Sequence, residues 1–247
     1  MSDEQKPQQN QPAAAREPIF NLPPVVMWLC GLIIAVHLAT LILDPIGLRQ
    51  LTLWLGFTPL RFLVGMTDPV EWVPLLWTPF THAFLHAGWE HLLLNVAWLA
   101  IFGTPVARRY GSRATLVLFL VSCAAGAAAF TLTSLNDGTF LIGASGGVAG
   151  LTGAAVRFIF QPVVFGRDEE TGEPVALGRR LASLRDIWAT PRARWFSLIW
   201  LALNAAVPLL GQAVGDGGLA IAWQAHIGGF LCGMLMVGLF ERRERAE

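Results

Sequence analysis

Hydrophobic residues run along this chain in long blocks, not in short alternating stretches. Six blocks stand out, at 25–43, 88–106, 114–132, 142–160, 195–210 and 220–240. A helix needs roughly 17–25 mostly apolar residues to cross a bilayer. The blocks meet that requirement or come close; the fifth is short, and the fourth carries Arg157 near its end. No segment alternates polar and apolar residues in the way of a membrane barrel. The pattern predicts an all-α membrane protein, a bundle of six transmembrane helices.

The polar stretches between the blocks predict an orientation. Arg108, Arg109 and Arg113 separate the second and third blocks. Arg167, Arg179, Arg180, Arg185, Arg192 and Arg194 separate the fourth and fifth, and Arg242, Arg243 and Arg245 follow the sixth. The connections at 134–142 and 211–219 hold no Lys or Arg, and the long one at 44–87 holds only Arg49 and Arg61. Basic residues favour the cytoplasmic side, so both termini are expected there. The expected organisation is a disordered cytosolic tail at 1–24, a six-helix membrane domain at 25–240 and a basic cytosolic tail at 241–247. Within the domain, 44–87 is an outer loop and 161–194 a cytosolic loop. The first 24 residues are polar and rich in Gln, Pro and Ala, with no signal-peptide pattern.

Composition agrees with a membrane chain. Of 247 residues 54% are hydrophobic and 14% charged, against about 25% charged in a soluble domain. Formal net charge is zero, so nothing points to nucleic acid. Cys30, Cys123 and Cys232 lie in apolar stretches without metal-ligand spacing and are expected as small core residues.

Against this apolar background a few polar residues carry the functional signal, because polar groups inside a bilayer are costly. Ser145 lies in Gly143-Ala144-Ser145-Gly146-Gly147, and His226 in Trp223-Gln224-Ala225-His226-Ile227-Gly228-Gly229. His91 and Asn95, one helical turn apart, open the second block. In the orientation above, the second, fourth and sixth spans all run from outside to inside. Ser145, His91 and Asn95 stand at the outer ends of their spans, and His226 about two turns in. All four are therefore expected in the outer half of the bilayer. A serine hydroxyl is a weak nucleophile without a base, and His226 is the candidate base. Gly143, Gly147, Gly150 and Gly153 on one span, and Gly229 and Gly233 on the other, would allow the close approach such a pair requires. His91, Asn95 and the first N–H groups of a helix starting at Ser145 could stabilise an oxyanion. The blander readings are glycines that only pack, a serine bonded to a backbone carbonyl and a His91–Asn95 interhelical clamp.

Other polar residues fit structural roles better. His82, His86 and His91 could suggest a metal, but no Asp, Glu or Cys cluster lies at the same depth, so no metal and no cofactor are expected. His37 is expected as a core histidine; a haem at that position has no other support. Trp54, Trp72, Trp77 and Trp89 fit an interfacial belt on an outer loop made of short helices. Gly143-x-Ser145-x-Gly147 also matches the nucleophile turn of soluble α/β-hydrolases, but that fold needs strands alternating with helices.

Together, His82-x-x-x-His86-x-x-x-x-His91-x-x-x-Asn95, Gly143-Ala144-Ser145-Gly146 and Ala225-His226-x-x-Gly229 resemble the rhomboid family of intramembrane serine proteases. The resemblance covers about residues 80–240. It implies a Ser145–His226 dyad without an acid, and an oxyanion hole from His91, Asn95 and the Ser145 amide. It implies hydrolysis of peptide bonds in or near transmembrane helices of membrane proteins, in a bacterial plasma (inner) membrane. Three positions depart from the bacterial pattern. Ala149 stands where an aromatic would stack on the histidine, Thr78 follows Trp77 where an arginine is expected, and Ala107 replaces a glutamate. Ala149 leaves the imidazole to be held otherwise, by Trp223 or by the glycine-rich interface. The competing readings are a non-catalytic rhomboid-like protein that binds or chaperones membrane helices, and a small transporter. A transporter would need polar residues along a through-path, and the inner halves of the blocks offer almost none.

Overall fold

The structure, a computed structural model, describes residues 21–136, 138–168, 171–214 and 222–241, with backbone only over 207–214. The tail expected at 1–24 lies outside the described residues up to residue 20, as do residues 215–219 of the connection without Lys or Arg, the first two residues of the sixth block and the arginines at 242–245.

The chain opens with α1 (Pro24–Thr40), started by a proline in its first turn, where the missing N–H costs nothing. The 44–87 segment follows as short helices, as its composition suggested. These are α2 (Pro45–Leu55), capped by the Asp44 carboxylate on the Gly47 N–H, α3 (Leu60–Val64), a 3₁₀ turn at Pro69–Leu76, and α4 (Thr78–Thr81). A second 3₁₀ turn, His82–Phe84, leads towards α5 (Trp89–Trp98). A π-helical turn, Leu99–Gly103, joins α5 to α6 (Thr104–Ser134).

The run Trp89–Ser134 is 46 residues long and apolar enough to cross a membrane. As one straight helix it would reach about 69 Å, more than twice the ~30 Å hydrocarbon core. Gly111, with φ 79° and ψ 175°, interrupts it between the second and third expected spans. Among the described residues, Trp223–Phe240 is the other segment long and apolar enough to cross, and α1 is apolar but shorter. Large side chains such as Trp28, Ile42, Leu94 and Leu132 stand exposed, the surface a lipid environment would cover.

After α6 the chain forms an isolated antiparallel bridge between Leu141 and Phe57 of the outer loop. It then enters α7 (Ser145–Ile159), whose residues from Gly146 to Val156 are all buried. A helix apolar all round belongs in the middle of a fold, and α7 packs against both α6 and α10, which also pack on each other. The 161–194 segment is not only loop. β1 (Val163–Arg167) and β2 (Pro174–Arg179) pair antiparallel, and α8 (Leu184–Ala189) follows, started by a Ser183–Asp186 capping box. The strict all-α expectation is corrected here. Every residue of β2 and most of β1 are exposed, so no buried face imposed the period of two that marks a strand. Last come α9 (Pro191–Val214) and α10 (Trp223–Met236), ending in a 3₁₀ turn at Val237–Phe240.

Candidate active site

Ser145 is the first residue of α7, and no side chain caps that end. The first N–H groups of a helix have no intrahelical partner, so they stay available beside the serine hydroxyl. The turn before it is held from the segment that carries His82 and His86. The Gly143 N–H donates to the His82 carbonyl at 2.9 Å, and the Ala144 N–H reaches His86 Nε2 at 3.5 Å. Gly143 is needed twice. Its φ is +114°, and a Cβ there would lie 2.6 Å from Cε1 and Nε2 of His91. The His91 ring therefore lies against the turn two residues before Ser145. His86 and His91 meet edge to face with centroids 5.0 Å apart. Burial pushes the His82 and His86 imidazoles down to about 4, and His91 adds to the effect at His86.

Asn95 is buried, and its side-chain amide donates to the His91 carbonyl at 2.8 Å. One N–H of that amide remains for another acceptor. His91 and Asn95 thus share one face of α5, as their spacing required.

His226 lies in the first turn of α10, nearer its outer end than the two turns inferred from the apolar block. The helices α7 and α10 meet backbone to backbone. A Cβ on Gly229 would collide with the Gly146 carbonyl, one on Gly233 with the Gly150 carbonyl, and one on Gly153 with the Phe230 carbonyl. At the N-terminal end of this seam the Gly146 position faces the Ala225 carbonyl at 3.6 Å. Ser145 precedes Gly146 and His226 follows Ala225, so the two residues stand at the same level. The Ser145 hydroxyl makes no hydrogen bond among the described residues. His226 makes its own hydrogen bond to α9, with Nδ1 and Asn204 Oδ1 2.7 Å apart. Catalytic hydrogen bonds are often long before substrate binds.

The described residues contain no group of three or more His, Cys, Asp or Glu placed to hold a metal ion. His37 is buried in the core and meets Trp89 edge to face with centroids 4.9 Å apart. Trp54 and Trp77 stack at 6.2 Å on the outer loop, and the Trp77 indole donates to the Trp54 carbonyl.

A family model described as a rhomboid domain matches residues 74–167. The chain is 31% identical over 206 residues to a protein of Pectobacterium atrosepticum described as rhomboid protease GlpG. The chain belongs to the rhomboid family. The alignment covers 83% of this rhomboid and 59% of that relative's length. The matched domain contains Ser145, His91 and Asn95 but ends before His226.

The three departures from the bacterial pattern now have structural counterparts. Ala149 is buried in a cluster with Val156, Trp200 and Phe230, and Trp200 stacks on Phe230 at 4.7 Å. Ala149 thus belongs to a buried cluster that takes aromatics from both α9 and α10. Thr78 is buried, and so is Arg61, an arginine elsewhere in the 44–87 segment. Arg61 is buried, donates to the Leu53 carbonyl and pairs with Glu71 at 3.4 Å. Close to Ala107 in sequence, Arg109 donates to Glu241 at 2.6 Å and the Tyr110 hydroxyl donates to it at 2.8 Å. Sequence reasoning missed Asn204 and used Arg61 only as a topological charge. A lone Asn in an apolar span was the available signal for the first.

Proposed function

We propose that this rhomboid is an intramembrane serine endopeptidase, a six-span protein with cytoplasmic termini in a bacterial inner membrane. It cleaves peptide bonds in or beside the transmembrane helices of membrane proteins. The observation that carries the reading is the glycine seam, which brings the start of α7 and the first turn of α10 together with Gly146 facing Ala225. Ser145 Oγ attacks the scissile carbonyl as His226 takes its proton. The oxyanion forms against the Ser145 N–H, the free Asn95 amide hydrogen and the His91 ring. His226 then protonates the leaving amine, and water releases the acyl group by the reverse proton path. No acid, metal or cofactor takes part.

The non-catalytic reading, a protein that binds membrane helices without cutting them, has one observation in its favour. The Ser145 hydroxyl is not hydrogen-bonded to His226. A serine-directed fluorophosphonate separates the two. Protease chemistry requires labelling of the wild type, with labelling and cleavage of a transmembrane reporter both lost in Ser145→Ala and in His226→Ala. A nucleophile and its base act as one unit, so the double variant is no worse than either single one. Cleavage persisting in Ser145→Ala, or an unlabelled wild type, removes the protease reading.

A further inference from the structure

We infer that Asn204 on α9 is a positioning residue that sets the tautomer and the ring orientation of His226. The inference rests on the protease reading for its consequence, but not for its geometry. Asn204 Nδ2 donates to the Trp200 carbonyl at 2.8 Å, one turn earlier on the same helix. A carbonyl oxygen can only accept, so the Asn204 atom facing Trp200 is the amide nitrogen. The atom facing His226 is then Oδ1, which can also only accept. Its partner at 2.7 Å, Nδ1 of His226, must therefore carry the proton. In the neutral imidazole this leaves Nε2 with the free lone pair. A histidine that must take a proton from a serine needs one defined basic nitrogen. In Ser-His-Asp enzymes the group on the far ring nitrogen supplies that definition.

Two further features make this bond a built one. The Trp200 ring stacks on Phe230, one turn below His226, with centroids 4.7 Å apart and planes within 20°. The stack fixes α9 against α10 at the point where Asn204 must be presented. Ala149, on α7, has no side chain that could brace the imidazole from the other side, and Trp200 and Phe230 already fill its surroundings. Of the residues described around His226, Asn204 is the one bonded to its ring.

The test compares Asn204→Leu, which keeps the volume and loses the acceptor, with Asn204→Asp, which keeps the acceptor. Each is purified in detergent alongside the wild type and Ser145→Ala. Asn204→Leu is expected to lower kcat and the rate of fluorophosphonate labelling by up to about 100-fold, the scale of a misplaced catalytic group. KM and Tm stay near wild type, and Asn204→Asp restores most of kcat. Nitrogen NMR of His226 reads the geometry directly, with Nδ1 protonated in the wild type and the tautomers mixed in Asn204→Leu. Wild-type kcat and labelling in Asn204→Leu, with Ser145→Ala dead, overturn this inference and leave the protease reading standing. An inert wild type overturns the protease reading instead. In that case an unchanged His226 spectrum in Asn204→Leu overturns the positioning role as well.

Discussion

Helix α10 is held against α7 by backbone and against α9 by side chains. On the α7 side, glycines 146 and 150 meet 229 and 233, Gly153 meets the Phe230 backbone, and carbonyl oxygens occupy the space where Cβ atoms at 153, 229 and 233 would be. On the α9 side, contact runs through the Trp200–Phe230 stack and the Asn204–His226 hydrogen bond. The two seams do different work. Backbone contact fixes how far apart two helix axes lie and leaves no rotamer to vary. It therefore sets the level and spacing of Ser145 and His226, but it says nothing about the torsions of the imidazole. Those are set by a side chain from a third helix. In the proposed dyad the glycine seam would supply proximity and α9 orientation, the two things a near-attack geometry requires.

The comparison breaks most severely at Gly229. Gly229→Val must part α7 from α10, because the new atoms would enter the Gly146 carbonyl. Overpacking a core costs about 1–3 kcal/mol, and a rigid backbone neighbour puts this site at the top of that range. The expected result is a large fall in Tm in detergent together with loss of labelling. A wild-type Tm would mean that the seam is looser than the geometry requires.

Ala149→Tyr probes the α9 side. Trp200 and Phe230 occupy the surroundings of Ala149, so the tyrosine overpacks and costs about 1–3 kcal/mol. Pairing it with Trp200→Ala returns the space, and the double variant should recover part of the loss. Additive losses in that double-mutant cycle would show that the two sites do not share a cavity.

The two seams were not equally legible in the sequence. Glycines four apart on two apolar blocks announce close helix packing wherever they occur, and Ser145 and His226 lay within them. The break between the second and third spans was also marked, by three arginines around Gly111. Asn204 was not marked. Its partner lies 22 residues away, across a connection whose length no periodicity encodes. A single Asn in an apolar helix fits a solvated edge or a backbone-bonded side chain equally well. Arg61 was hidden differently: as a loop arginine it carried information about topology, and only the fold shows it buried against Leu53 and Glu71. The hairpin of β1 and β2 left no pattern because nearly all of it faces solvent.

Acid tests what lies above both seams. His82 and His86 hold the turn before Ser145, and burial keeps both imidazoles near 4. The unfolded chain, with pKa near 6.5, binds protons that the folded chain refuses. Their contribution is therefore complete above about pH 6.5 and is lost as pH falls from there towards 4. Tm measured across that window should drop in the wild type and drop less in His82→Leu. Parallel profiles for the two proteins would take His82 out of the account. Labelling lost before global unfolding would show that the outer turn opens while the glycine seam holds.

The smallest effect comes from a glycine outside either seam, and it is the control for the first. Gly31 lies mid-helix in α1, exposed, with no atom within 4 Å of the place a Cβ would take. Nothing there requires close approach, and its φ is not in the left-handed region. A glycine in a helix interior costs about 0.5–1 kcal/mol relative to alanine, through the backbone freedom it loses on folding. Gly31→Ala should therefore raise stability by about that amount and leave labelling and cleavage untouched. The same substitution at Gly229 should lower stability, because its methyl group meets a carbonyl oxygen. Opposite signs from one chemical change would show that the seam glycines serve contact and not flexibility. Destabilisation at Gly31 comparable to that at Gly229 would mean that α1 also packs through its glycine against a neighbour, and the division between the seams and the lipid-facing surface would have to be redrawn.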